Sequence, residues 1–335
     1  MEVIFTAKTY DGNNKIEELA IEGYKQAIWS IYNSLKSTLD LSLLNSIIVP
    51  EEYKIELFEF QRHNGHSQFV TENEYGQGFA QVVSSKNNNG DIVYNVVIDK
   101  KVILALIRDE ALQAYKDNLN DDEQYESFFS IRQLAINILC HEFGHVHEYG
   151  LNKSMEWMQS SKRKTDLHSQ YIELAQQCWS EYFTCRTVST TFPLKVEDCV
   201  EIINTCNDAE KRLQEKRSKY NRRLIDLNDL VFEFHKYATF ILKKIACAHG
   251  NLYCLADLRE EVIQAFQDGL GESYVKAIWI KYGQALNRLY EDYPNWKDDT
   301  VFNETCELII EYYNQYEIFI SETQQGIYYD IPVRL

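Results

Sequence analysis

A chain of 335 residues with 45% hydrophobic side chains can bury a substantial core, as one large domain or two packed units. Its 34 basic and 51 acidic side chains leave a formal charge of -17 with no dense basic block beyond short runs such as residues 162–164, which argues against nucleic acid as a partner. No run of about 18 apolar residues occurs, and residues 1–14 lack a cationic start and an apolar stretch of signal length, so the expectation is a cytoplasmic protein without membrane span or export signal.

Residues 1–9 alternate as a strand, and residues 16–38 predict a helix whose buried side carries Ile16, Leu19, Ala20, Tyr24, Ala27, Ile28 and Ile31. Residues 46–50 are a short apolar run, and residues 51–62 fit helix and strand equally. Residues 78–84 and 92–99 flank a loop of Lys86, Asn87, Asn88, Asn89, Gly90 and Asp91, the pattern of a hairpin; either strand is a candidate edge for pairing with an extended peptide.

From Glu126 to Tyr149 the only Gly or Pro is Gly144, and Ile131, Leu134, Ile138, His141 and His145 recur at helical spacing, which predicts an inward-facing stripe. Asp121 and Asp122 mark the start of this helix and Gly150 its expected cap. Within it, His141, Glu142, Phe143, Gly144 and His145 spell His-Glu-x-x-His. Two histidines four apart on a helix project from one face and can converge on one metal ion, with Glu142 beside them to take a proton from a metal-held water. Gly144 costs a helix about 1 kcal/mol relative to Ala, which predicts close packing against that turn. Ordinary buried histidines are the alternative reading of the pair.

A tetrahedral site needs a third protein ligand. The metzincin extension is excluded because Glu148 and Leu151 stand where Gly and His are required. Glu148 itself lies seven residues past His141, about 10 Å along the axis. A helix over residues 169–189 puts Leu174, Cys178, Glu181, Cys185 and Val188 on one stripe, leaving Glu181 as its sole carboxylate. Metal coordination is one way to offset the desolvation of such a carboxylate, and an ion pair with Arg186 or Lys162 is the other.

His141 to His145, followed by Trp179-Ser180-Glu181-Tyr182-Phe183, resembles the gluzincin type of zinc metallopeptidase, over about residues 90–190. The resemblance implies Zn2+ held by His141, His145 and Glu181, Glu142 as general base and proton shuttle, and a zincin-like core with a small sheet beside the motif helix. It departs from the family pattern at Cys185, where an Asp supporting a ligand histidine is expected. The short spacing looks more like compact intracellular metallopeptidases of bacteria and phages, including repressor-cleaving types.

After Pro193 the chain predicts helices over residues 196–227, 229–248, 255–269, 272–290 and 298–323, with breaks near Gly250, Gly269 and Pro294 and no fixed-period repeat. Tyr237, Phe240, Tyr274, Trp279, Tyr282 and Tyr290 are expected in its core. The eight cysteines, scattered through apolar helical stretches, fit reduced thiols; Cys247, His249 and Cys254 cluster loosely but match no common zinc knuckle. Donors for a developing oxyanion are sought among Tyr182, His168, His147 and Arg186, with Tyr182 and His168 favoured.

The expected architecture is therefore α+β and mainly helical: an N-terminal helix and sheet over 1–125, the zinc-binding helices over 126–192, and a helical C-terminal subdomain over 193–335. The expected function is hydrolysis of a peptide bond in a protein or peptide substrate. A zinc-binding regulatory protein without turnover is the alternative, and a helical interaction protein with an accidental motif is the third possibility.

Overall fold

Alternating apolar runs at β1 (Glu2–Phe5) and β2 (Leu44–Val49) flank a helix, α1 (Glu18–Leu35), and the three form a strand–helix–strand unit with the strands parallel. The computed structural model describes residues 1–10, 13–69, 72–73, 76–106, 122–153, 155, 157, 166–189, 196–253 and 259–332. Expectations resting on Asp121, Lys162, Pro193 and Cys254 fall outside these residues. The chain divides into two units, Met1–Gly150 and Leu151–Leu335.

In the first unit, β2 leads into α2 (Tyr53–His63), which settles the ambiguous segment as helix, then to the two-residue strands β3 (Glu72–Asn73) and β4 (Gly76–Gln77). The predicted hairpin follows as β5 (Ala80–Lys86) and β6 (Ile92–Ile98), paired antiparallel. The sheet order is β1-β2-β6-β5, with β6 parallel to β2. Residues 93–98 are thus paired on both sides and cannot take an extended peptide, whereas β5 is an edge. Ile16 and Ile28 are buried as expected and Leu35 joins them, whereas Leu19, expected inside, is 83% exposed.

A short helix, α3 (Lys100–Leu104), follows β6, capped by the Asp99 side chain. Glu51 gathers the loops after β1, β2 and β6: it accepts hydrogen bonds from the backbone N–H groups of Lys8 and Thr9, and from Lys100 Nζ at 2.6 Å.

The motif helix, α4 (Asp122–Asn152), runs through Gly150, which is not among the glycines with positive φ, so the expected cap is not formed. Its buried face carries Ala135, Ile136, Leu139, Cys140, Phe143 and Val146. That face lies opposite the predicted stripe, and Ile131 and Leu134 are 51% and 58% exposed. Two apolar stripes compete on this helix, and the one bearing Phe143 wins; its ring stands edge-on to Tyr32 at 6.3 Å. His141 and His145 are nonetheless partly buried, the His145 side chain being 13% exposed.

The second unit is helical: α5 (Leu167–Ser189), α6 (Val196–Asn221), α7 (Leu227–Leu252), α8 (Arg259–Gly269), α9 (Val275–Asp292), a 3-10 turn (Asp299–Phe302) and α10 (Asn303–Gln315). Trp179, Trp279, Tyr282, Tyr312, Tyr313 and Phe234 fill its core. α5 and α7 run parallel, since Glu181 pairs with Lys243 and, one turn on, Cys185 with Cys247. α7 continues through the predicted break at Gly250, because a Cβ there would lie 2.5 Å from the Tyr182 carbonyl oxygen: the glycine permits the helix contact. The last predicted helix is also corrected. α10 ends at Gln315, Glu317 takes a left-handed φ of 57°, and the chain closes in a hairpin, β7 (Phe319–Thr323) with β8 (Gly326–Asp330). Among the described residues no helix is long and apolar enough to cross a membrane.

Candidate metal centre

His141 and His145, one turn apart on α4, bring their Nε2 atoms to 3.1 Å. A tetrahedral zinc ion with Zn–N bonds of about 2.05 Å separates two ligand nitrogens by roughly 3.3 Å, so the spacing fits a shared ion within a few tenths of an ångström. The same distance also serves an imidazole–imidazole hydrogen bond. The outward-facing nitrogen of His145, Nδ1, stands 3.7 Å from Oε2 of Glu148, a carboxylate that is 2% exposed. A buried carboxylate behind the distal nitrogen of a ligand imidazole orients the ring and raises its basicity. At 3.7 Å Glu148 is beyond hydrogen-bond reach of His145 and is a charged neighbour of that ring, not a replacement for the acid expected at position 185.

Glu142 is 7% exposed, on the turn that carries His141. Its negative charge, after burial, helps push the Tyr53 phenol above its ordinary pKa, with Asp99 contributing less. Tyr53 opens α2, just after β2. His147 serves the scaffold: its Nδ1 accepts a hydrogen bond from the Asp40 backbone N–H at 3.0 Å, and burial lowers its pKa.

In the second unit, α5 buries Leu174, Cys178, Cys185 and Val188 as the periodicity predicts. Glu181 departs from the expectation of a fully buried carboxylate. Its side chain is 19% exposed, and Lys243 Nζ on α7 reaches its Oε1 at 2.8 Å. Arg186 has other partners: Nη1 donates to Tyr182 Oη and to Asn287 Oδ1, both at 2.8 Å, and the guanidinium lies 3.4 Å from the Tyr253 ring centroid and 3.7 Å from that of Tyr290.

The favoured oxyanion donors are not placed for that role. Tyr182 Oη is turned into the core against Arg186, and burial raises its pKa to about 12. His168 is exposed and thirteen residues before Glu181, about 20 Å along the helix axis. Lys243 is the cation beside Glu181, and spacing along the sequence offers no signal for it. The reduced-thiol expectation is corrected for one pair, since Cys185 and Cys247 are disulfide-bonded with Cα atoms 5.5 Å apart. Cys140, Cys178, Cys206 and Cys306 are free and buried.

Comparison of the chain with protein-family models, with curated proteins and with solved structures finds no match in any of the three.

Proposed function

We propose that the chain is a zinc-dependent metallopeptidase of gluzincin type, with His141, His145 and Glu181 as ligands and Glu142 as general base. The observation that carries the reading is the His141–His145 nitrogen pair, at ligand spacing, with a buried Glu142 on the same turn. It is supported by the Glu148 carboxylate 3.7 Å behind His145; Glu181 as third ligand is the assignment that the gluzincin resemblance implies. A small sheet in the unit that carries the motif helix agrees with the zincin-like core implied by the resemblance.

A zinc ion in such a site polarises the substrate carbonyl and lowers the pKa of its water towards about 7. Glu142, beside His141, would serve as the base that accepts the water's proton and the acid that passes it to the leaving amide nitrogen. Glu148 places a negative charge 3.7 Å behind the His145 ring, which would favour its binding a cation. Lys243 Nζ donates to Oε1 of Glu181 and would have to share that carboxylate with the ion.

One observation favours the second reading, a zinc-holding regulatory protein without turnover: neither Tyr182 nor His168 is placed to stabilise an oxyanion. Zinc analysis of protein purified without added metal, combined with cleavage of a random peptide library, decides between them. The enzyme reading expects one zinc per chain, loss of it in His141→Ala and Glu181→Ala, and full zinc without cleavage in Glu142→Gln. A His141→Ala protein that keeps stoichiometric zinc would sink the ligand assignment. Zinc without any cleavage by the wild type would leave the regulatory reading.

A further inference from the structure

The groove between α5 and α7 continues from the Glu181–Lys243 pair towards the helix N-termini. Gln177 and Thr239 each lie one turn before a member of that pair, about 6 Å along the axis. There the two helices line a half-open cavity of about 260 Å³, to which Tyr313 of α10 and Ile320 of β7 also contribute. This is below the roughly 300–1,000 Å³ typical of sites that enclose a whole small ligand, and so suits a single side chain.

The lining has one sign of charge. Glu173 on α5 is the one charged side chain among the described lining residues, with Gln170 and Gln177 of α5 and Thr239 of α7 as polar groups that can accept or donate, and no Lys or Arg lines the wall among the described residues. His235 is engaged, with Nε2 2.9 Å from Tyr329 Oη, and burial lowers its pKa, which keeps it neutral near pH 7. Tyr171, Leu174 and Tyr313 form an apolar floor, with the two tyrosine rings 6.0 Å apart, suited to a methylene stem and to a cation over an aromatic face. A chain with a formal charge of -17 also steers cationic partners towards itself.

We propose that this cavity is a specificity subsite that takes an arginine or lysine side chain of a peptide lying along the α5–α7 groove, one or two residues from the bond to be cleaved. An extended peptide advances about 3.4 Å per residue, which matches the one-turn offset from Glu181. The proposal rests on Glu181 being a ligand of the catalytic ion.

Metal-free protein is titrated with Nα-acetyl-arginine amide, Nα-acetyl-lysine amide and Nα-acetyl-norleucine amide, followed by NMR. The two cationic probes are expected to bind and to perturb Thr239 and Gln177, and norleucine, with a stem but no charge, to bind at least about tenfold more weakly. Glu173→Lys, an exposed substitution, should weaken the cationic probes by about tenfold or more without changing zinc content, and should shift peptide-library cleavage away from basic residues. Equal binding of norleucine, or cationic binding insensitive to Glu173→Lys, overturns the subsite even if zinc and cleavage are confirmed. Charge-dependent probe binding in a chain whose zinc is unaffected by Glu181→Ala overturns the subsite's place in catalysis and, separately, the ligand assignment.

Discussion

Two glycines in helix interiors should respond to the same substitution with opposite signs. At Gly250 on α7, an added Cβ would lie 2.5 Å from the Tyr182 carbonyl oxygen and 2.9 Å from the Arg186 nitrogen and the Cys185 Cβ. Ordinary contact begins near 3.4 Å, so α5 and α7 must separate by about 0.9 Å at the first of these, against backbone that cannot rotate away. Overpacking of this kind costs about 1–3 kcal/mol, and the better helix propensity of alanine offsets roughly 1 kcal/mol. Because the clash is with backbone, the upper part of that range applies, and Gly250→Ala should lose about 1–2 kcal/mol net. At Gly150 on α4 the nearest atom is Leu43 Cδ1 at 3.8 Å, so Gly150→Ala keeps the propensity gain of up to about 1 kcal/mol. Thermal unfolding followed by circular dichroism checks both. For units of this size, about 2–4 °C corresponds to 1 kcal/mol, so Gly250→Ala should fall by roughly 2–8 °C and Gly150→Ala should rise by up to about 4 °C. A Gly250→Ala protein as stable as the wild type would refute the close crossing.

Glu148→Gln should weaken zinc binding by about 10–100-fold in a chelator competition, with little change in fold; unchanged affinity would show that Glu148 does not orient His145. Reducing the Cys185–Cys247 bond, which closes a span of 62 residues, should lower stability by about 2–4 kcal/mol in urea titration. The double variant Cys185→Ala with Cys247→Ala should then be insensitive to reductant. Glu210 is buried, accepting hydrogen bonds from Tyr316 Oη and the Tyr274 backbone N–H, and burial raises its pKa above the ordinary 4.5. Its folded pKa exceeds its unfolded one, so its contribution is fully present below pH 4.5 and is lost as pH rises through the folded value. Glu210→Gln should flatten the stability profile above pH 4.5; an unchanged slope would assign the dependence to other groups.

Periodicity made the motif helix, the helix bearing Glu181 and the β5–β6 hairpin legible, because each is a local pattern read over one element. What it could not resolve was competition. On α4 two apolar stripes were available, and tertiary packing, including Phe143 against Tyr32, buries one of them and leaves Ile131 and Leu134 of the other exposed. Gly150 and Gly250 look like helix ends in isolation, yet neither ends its helix; at Gly250 the reason is a crossing that brings in residues more than sixty positions away. The C-terminal hairpin was hidden because residues 298–323 continue a dense mixture of tyrosine, isoleucine and glutamate that suits helix equally well. Lys243 and the cross-linked Cys247 depend on which residues of α7 face α5, a property of tertiary register with no local signal. Glu148 is too far from His141 to be a ligand, but as a carboxylate three residues after His145 it shares that histidine's face, which the sequence already shows.

The parallel pairing of α5 and α7 has a mechanical consequence. An ion pair at 181/243, a covalent bond at 185/247 and a glycine-dependent crossing at 182/250 succeed one another along the same seam. Sliding one helix past the other would have to break all three at once, so the pair has no intermediate stops. The covalent bond at 185/247, four residues past Glu181 and Lys243, ties the two side chains' helices together one turn beyond the ion pair.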